Sequence, residues 1–342
     1  MNPRPLSFLV VGSCLAVLLL GTTPLLAKDL EIMEISEAYD YDENVLQAPV
    51  FESDSMPPVV FEVLEDAFDR NANFVRRIPG GFVRAPRYGI APSLKMGAVL
   101  TDVLRAEAAT MGLRSLPSEE AVKVSGKIPE FFLECRGIFG GALMFFGYLE
   151  VDLTLTWPDG REENLTGNFH GLHVRYNGGF GARDEAREAT GRFMIDSAQE
   201  IVARLAREHL EAQVHSTVAY ALDALSKTGV ENHHPALRRV GLSGLPEAGA
   251  VLVELLAREK QEDERGHIID ALASLGDLEA LSRVAARYPT EPDEDTRFFS
   301  LKAFAYSRTE EGEKWIADLG TRDKDRAVKR LAEYLKKRGT AR

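Results

Sequence analysis

The stretch YLEVDLTLTW, Tyr148 to Trp157, decides how the first half of this chain folds. Leu149, Val151, Leu153, Leu155 and Trp157 alternate with Glu150, Asp152, Thr154 and Thr156. A period of two is that of a strand with one buried and one wet face. The strand runs into Pro158-Asp159-Gly160, where proline presets the bend and glycine accepts a positive backbone angle. A returning strand over 162–173 completes a hairpin.

Working outward, Val122, Val124 and Ile128 predict a strand over 121–135, with Gly126 as a bulge or a close approach. Between these strands, 137–147 (GIFGGALMFFG) reads as a buried, glycine-rich connection. The alternative is an exposed contact surface of Phe139, Leu143, Met144, Phe145 and Phe146. Upstream, Met96, Val99, Leu100, Val103, Leu104, Ala108 and Met111 form one stripe of a helix over 95–111, which Gly112 is placed to end. Glu107 falls inside that apolar stripe. Downstream, Ala186, Ala189, Phe193, Ala198, Ile201, Val202 and Leu205 line a long helix over 183–209, with Glu188 and Arg192 at ion-pair spacing. Phe61, Leu64, Ala67 and Phe68 recur at helical spacing over 58–68, and 82–92 reads as irregular. The order predicts an α+β fold, an antiparallel sheet with helices packed on one face.

Beyond residue 213 the strand pattern disappears. Arg238, Arg265, Arg297 and Arg326 each stand six residues before a small residue, respectively Gly244, Ala271, Ala303 and Ala332. Such self-similarity predicts stacked helix pairs, small residues permitting close approach and glycines or prolines breaking the chain at Gly244, Pro246, Gly276, Pro289, Pro292 and Gly320. The four divisions are therefore 1–27, 28–57, 58–210 and 213–342. The second is acidic and loosely structured, with one short edge strand at Ile32, Met33 and Ile35.

Bulk properties narrow the function. With 342 residues and 45% apolar content the chain can bury a proper core. Its 53 carboxylates against 41 Lys and Arg give a net charge of -12, which repels polyanions and argues against nucleic acid as a partner. Residues 1–27 have the anatomy of an export signal: an apolar run from Leu6 to Leu20, then Leu25-Leu26-Ala27 as a cleavage site. Extended through Leu26, the same run would be an uncleaved anchor. Lipidation at Cys14 is the disfavoured alternative, because it would leave Leu15 to Leu20 exposed just beyond the lipid. Cys135 is then the one thiol of the mature chain, so no internal disulfide is expected.

A search for chemistry yields no catalytic, cofactor or metal residues. His170 and His173 are three apart on a strand, which points them to opposite faces. His233-His234 lies in an interhelix loop, and His209 and His215 lack a third ligand. Gly178-Gly179-Phe180-Gly181 lacks the Lys and Ser or Thr of a phosphate cradle. Cys135 has no histidine nearby in sequence and reads as a small buried hydrophobe. Asn164-Leu165-Thr166 matches a glycosylation acceptor.

The arginine spacing, with Asp263 before Arg265, Asp295 before Arg297 and Asp325 before Arg326, resembles short HEAT-type repeats. That resemblance implies a structural ladder of acid and arginine between units, within an all-α solenoid over 213–342. Glu333 departs from the pattern held by Leu272 and Phe304, which suits a polar cap. Nine Lys or Arg against three acids in 321–342 read first as a solvated capping helix, and otherwise as a surface steering toward anionic lipid. Over 58–210, the order helix, Val-Ser-Gly-Lys-Ile strand, alternating strand, Asp-Gly turn, return strand and long helix resembles bacterial envelope auxiliary lipoproteins, although these do not normally carry a helical array. The expectation is a non-enzymatic, exported, periplasmic or envelope-associated protein without cofactors that binds a protein partner through its helical repeats. The alternative is a lipid or small-ligand carrier with a pocket between sheet and helices.

Overall fold

The computed structural model describes residues 28–30, 50–69, 75–77, 88–90, 95–115, 118–137, 142–176, 182–228, 234–307 and 309–339. The export signal, Cys14, the edge strand at Ile32 to Ile35 and the Gly178–Gly181 loop lie outside the described residues.

The first half carries β1 (Lys28–Leu30), β2 (Val59–Phe61), β3 (Glu65–Asp66), β4 (Val75–Arg77), β5 (Tyr88–Ile90), α1 (Met96–Thr110), β6 (Val122–Gly137), β7 (Ala142–Thr156), β8 (Glu162–Tyr176) and α2 (Ala182–Arg204), which a π turn extends over Leu205–His209. The alternating stretch forms the centre of β7, flanked antiparallel by β6 and β8 in an unbroken register with β8. Its odd positions, Leu149, Val151, Leu153 and Leu155, are buried, and its even ones from Glu150 to Thr156 are half-exposed, as period two requires. The buried face meets α2, and α1 packs on α2. Gly112 follows α1 with φ +99, and Gly126 sits at φ +148 so close to the Asp152 carbonyl that a Cβ would collide with it.

Three expectations are corrected. The sheet is mixed: β2, β3 and β4 run parallel to β6, and β1 runs parallel to β5. Residues 58–68 hold β2 and β3, not a helix. Their backbone groups bond to β6, with Val122 N–H donating to Pro58, Glu62 to Val124 and Ala67 to Ile128. A ladder to a strand sixty residues on outweighs local helical spacing. The 137–147 connection is largely strand, since β6 and β7 pair as far as Gly137 and Leu143. Of its apolar residues, Phe145 and Phe146 are buried, and the side chains of Phe139, Leu143 and Met144 lie outside the described residues.

The second half is helical: α3 (Ser216–Thr228), α4 (His234–Ser243), α5 (Ala248–Arg258), α6 (Glu262–Leu275), α7 (Leu278–Arg287), α8 (Glu294–Ser307), α9 (Glu310–Asp318) and α10 (Arg326–Gly339). They stack in two rows. In the inner row α4 packs on α6, α6 on α8 and α8 on α10; in the outer row α3 packs on α5 and α5 on α7, while α9 lies against α8 and α10. Close approach falls on small residues, as a Cβ on Gly241 of α4 would strike the backbone of Ala271 of α6. Gly244 is not such a contact: it follows α4 at φ +71 and ends it.

The halves share one apolar cluster. Val50, Phe51 and Met56 are buried in it, so the end of the acidic segment is core rather than loose chain. Phe51 bridges to Val214, Glu52 N–H donates to Gln213 and His215 N–H to Val50, while Val50 and Phe51 N–H both donate to Met111 at the end of α1.

Candidate functional site

The repeat arginines organise the helical half. Arg265 donates to the carbonyls of Leu256 and Glu259 at 3.1 Å each, and to the carboxylate of Glu291. One unit on, Arg297 donates to the carbonyls of Glu291 and Pro292 at 2.9 Å each, and to Asp323 at 3.0 Å. Tyr288 donates to the same Asp323 carboxylate at 2.9 Å. Arg265 and Arg297 therefore each reach an acid of the segment that follows, Glu291 and Asp323 respectively. An acid at a helix start is engaged by that helix's own N–H groups, as Asp325 is by Val328 N–H. An arginine one turn inside instead reaches back to the loop and across to the next unit.

Arg238 does not share this role, and the positions five and nine after Arg265, Arg297 and Arg326 face the rest of the chain: Asp270 and Ser274 on α6, Lys302 and Tyr306 on α8, Leu331 and Leu335 on α10. They meet two different surfaces. The first is the polar side of α2. Arg238 of α4 donates to Gln199 Oε1 at 3.0 Å, Glu200 Oε1 at 3.1 Å, Ser274 Oγ at 2.6 Å and the Asp196 carbonyl at 3.2 Å. Gln199 donates in turn to Glu107 of α1 at 3.0 Å, and Lys302 pairs with Asp270 at 2.9 Å. Arg207 donates to the carbonyls of Leu242 and Ser274 at 3.1 and 3.2 Å. Five helices thus bring their ionisable groups together at one seam.

The electrostatics follow from burial. Desolvation pushes the Glu107 carboxyl up, against the lowering pull of its Gln199 hydrogen bond and of Arg238. Asp196 is pushed up for the same reason, against Arg238 and Lys302. Burial would lower Arg238, but Glu200 and Asp196 more than offset it and hold it above the ordinary arginine value. Tyr306 is raised by burial and then by Glu200, so its phenol stays protonated. Chemically this is a set of struts: Arg238, Arg207 and Lys302 are each aimed at a carboxylate or carbonyl of the same chain, which fixes α2 against the inner row.

The second surface is the end of the hairpin. Gly147 and Gly171 pair across β7 and β8, and a Cβ on either would run into the ring of Phe193 on α2. Beside them Phe146 meets Tyr334 of α10, ring centroids 6.2 Å apart. Phe146, Gly147, Gly171, Lys302, Leu331, Tyr334 and Leu335 line a cavity that admits little more than a water molecule. That is far below the roughly 300 Å³ at which ligand pockets begin, so this junction is not the carrier's pocket.

Cys135 is fully buried on β6, and burial pushes its thiol up to about 12, the state of an inert hydrophobe. His209 bonds through Nδ1 to Glu163 at 2.7 Å, and His215 to Thr217 at 2.9 Å. Asn164 accepts from Thr154 across the strands at 3.3 Å. The backbones of His170 and His173 pair with Tyr148 and Phe145, while their side chains, and those of His233 and His234, lie outside the described residues. Among the described residues no group of three or more His, Cys, Asp or Glu is arranged to hold a metal, and no helix is long and apolar enough to cross a membrane. Sequence reading missed Asp196, Gln199 and Glu200. The available signal was Glu107, a carboxylate in an apolar stripe that needs a partner.

No family model matches the chain, and no curated protein does. A solved structure, protein XCC0632 of Xanthomonas campestris from the family DUF330, is similar to 45% of this chain and 89% of its own, with 14% identity and a TM-score of 0.31. A likeness of that size does not establish a common fold.

Proposed function

We propose that this chain is an exported, non-enzymatic accessory protein of a bacterial cell envelope, a short HEAT-type solenoid closed around its own sheet, and that it binds a protein partner through its outer helical row. One observation carries the reading: the inner row, where solenoids usually take ligands, is filled by α2 and the β7–β8 hairpin of the same chain. The outer row is what remains for a partner. It leaves Tyr220 of α3 74% exposed, an aromatic of the type that anchors interfaces, and Leu278 of α7 40% exposed. The paired state of the ionisable groups at the α2 seam supports a role without catalysis.

Deleting 213–342 is a poor test, because it would uncover Phe146 and leave Glu200 without Arg238. The test is affinity capture from envelope fractions with the parent chain and with Tyr220→Ala plus Leu278→Ser. A stoichiometric partner whose recovery drops at least about tenfold with the variant supports the reading. Equal recovery, or no partner, overturns it. Export is checked separately by the mass of the mature N-terminus, which should begin at Lys28.

A further inference from the structure

The basic segment 321–342 is not used by the outer row, and its geometry points elsewhere. The nine Lys and Arg face three acids in sequence, and Arg322 among them pairs with Asp318, while two of the acids are engaged within the fold. Asp323 is buried against Arg297 and Tyr288, and Asp325 accepts from Val328 N–H at the start of α10. Glu333 is then the acid on the outward side of α10. Around it Arg326, Lys329, Arg330 and Lys336 fall at helical spacings of three and four on one stripe, and Arg326, Lys329 and Lys336 are exposed. The opposite stripe, Val328, Leu331, Ala332 and Leu335, is buried against the rest of the protein. The helix is therefore fixed by its apolar side and carries these cations on its exposed side.

Arg326 adds a second argument. It occupies the column position at which Arg265 and Arg297 each hold a carboxylate from the segment that follows, and it is itself exposed. An anion-accepting position of the column is thus repeated at an exposed site.

We propose that the outward face of α10 docks on a bilayer containing anionic phospholipid. A row of exposed cations at helical spacing suits a planar array of phosphates. The remainder of the acidic chain is repelled by the same bilayer, so docking would be oriented. This stands apart from the reading of the outer row, and either can fail alone.

The test is sedimentation of the full chain with vesicles of phosphatidylcholine alone and of phosphatidylcholine mixed with phosphatidylglycerol, at low and high salt, against the variant R326E/K329E/K336E. All three positions are exposed, and circular dichroism checks that the variant is folded. The expected result is stronger binding to the anionic vesicles, weakened by salt and reduced roughly a hundredfold in the variant. Equal binding to both vesicle types, or anionic binding that the variant retains, overturns the proposal. Absence of vesicle binding together with loss of a protein partner from the variant overturns it too, and reassigns the stripe to an acidic protein.

Discussion

At the scale of single residues, the ladder arginines separate into buried and terminal roles. The Arg297 side chain is 5% exposed and its partner Asp323 2%. Removing one member of such a pair leaves the other charged and dry, so Arg297→Ala should destabilise the chain by about 3–5 kcal/mol. Arg326→Ala, at an exposed column position, should stay within about 0.5 kcal/mol. Urea unfolding of the two variants checks both, and similar costs would show that the ladder does not bear on stability. Gly147 gives a second case. With no room for a Cβ beneath Phe193, Gly147→Ala should cost about 1–3 kcal/mol, and Phe193→Leu in the same chain should recover part of that. Additive costs would show that the two do not press on each other. The second contact is not legible locally: Gly147 reads as part of a buried, glycine-rich connection because the ring that requires it lies on another element.

At the scale of elements, α1, α2 and α4 meet through carboxyls that burial holds above the usual carboxylate range. The folded chain therefore binds these protons more tightly than the unfolded chain does. Their cost to stability is absent below the unfolded value, near about pH 4, and grows as pH rises through the folded value. Glu107→Gln keeps an acceptor for Gln199 and removes one titration. Its gain in urea midpoint over the parent should thus be greatest at neutral pH and vanish toward about pH 4. A difference that does not vary with pH would show that this carboxyl titrates as if solvated. Elements with a local signature were legible in the sequence. Period two placed β7, the apolar stripe placed α1 within a residue at each end, and the long helix before 209 was α2 with its π turn. Those defined by distant pairing were not, because Val59 to Phe61 becomes a strand only through β6.

At the scale of the whole molecule, sequence spacing revealed two kinds of architecture but not that one encloses part of the other. The residues that join them, Asp196, Gln199 and Glu200 on one side and Arg238 on the other, sit on helices whose periodicity says which face is apolar and nothing about which polar face is also covered. With Phe146 against α10 and Glu200 against α4, the halves should unfold together. Calorimetry and fluorescence should report one coincident transition, and two resolved transitions would mean that the seam couples them weakly.

The short bridge between Phe51 and Val214 bears on how such a chain is made. A polypeptide growing from its amino end presents Val50 and Phe51 early, yet their partner is synthesised only after all three long strands and α2. For that interval they have only the end of α1, through Met111, to hold them. The helices that cover the hairpin come later still, with α10 last. Closure of the core thus waits on the helices that follow α2, α10 among them.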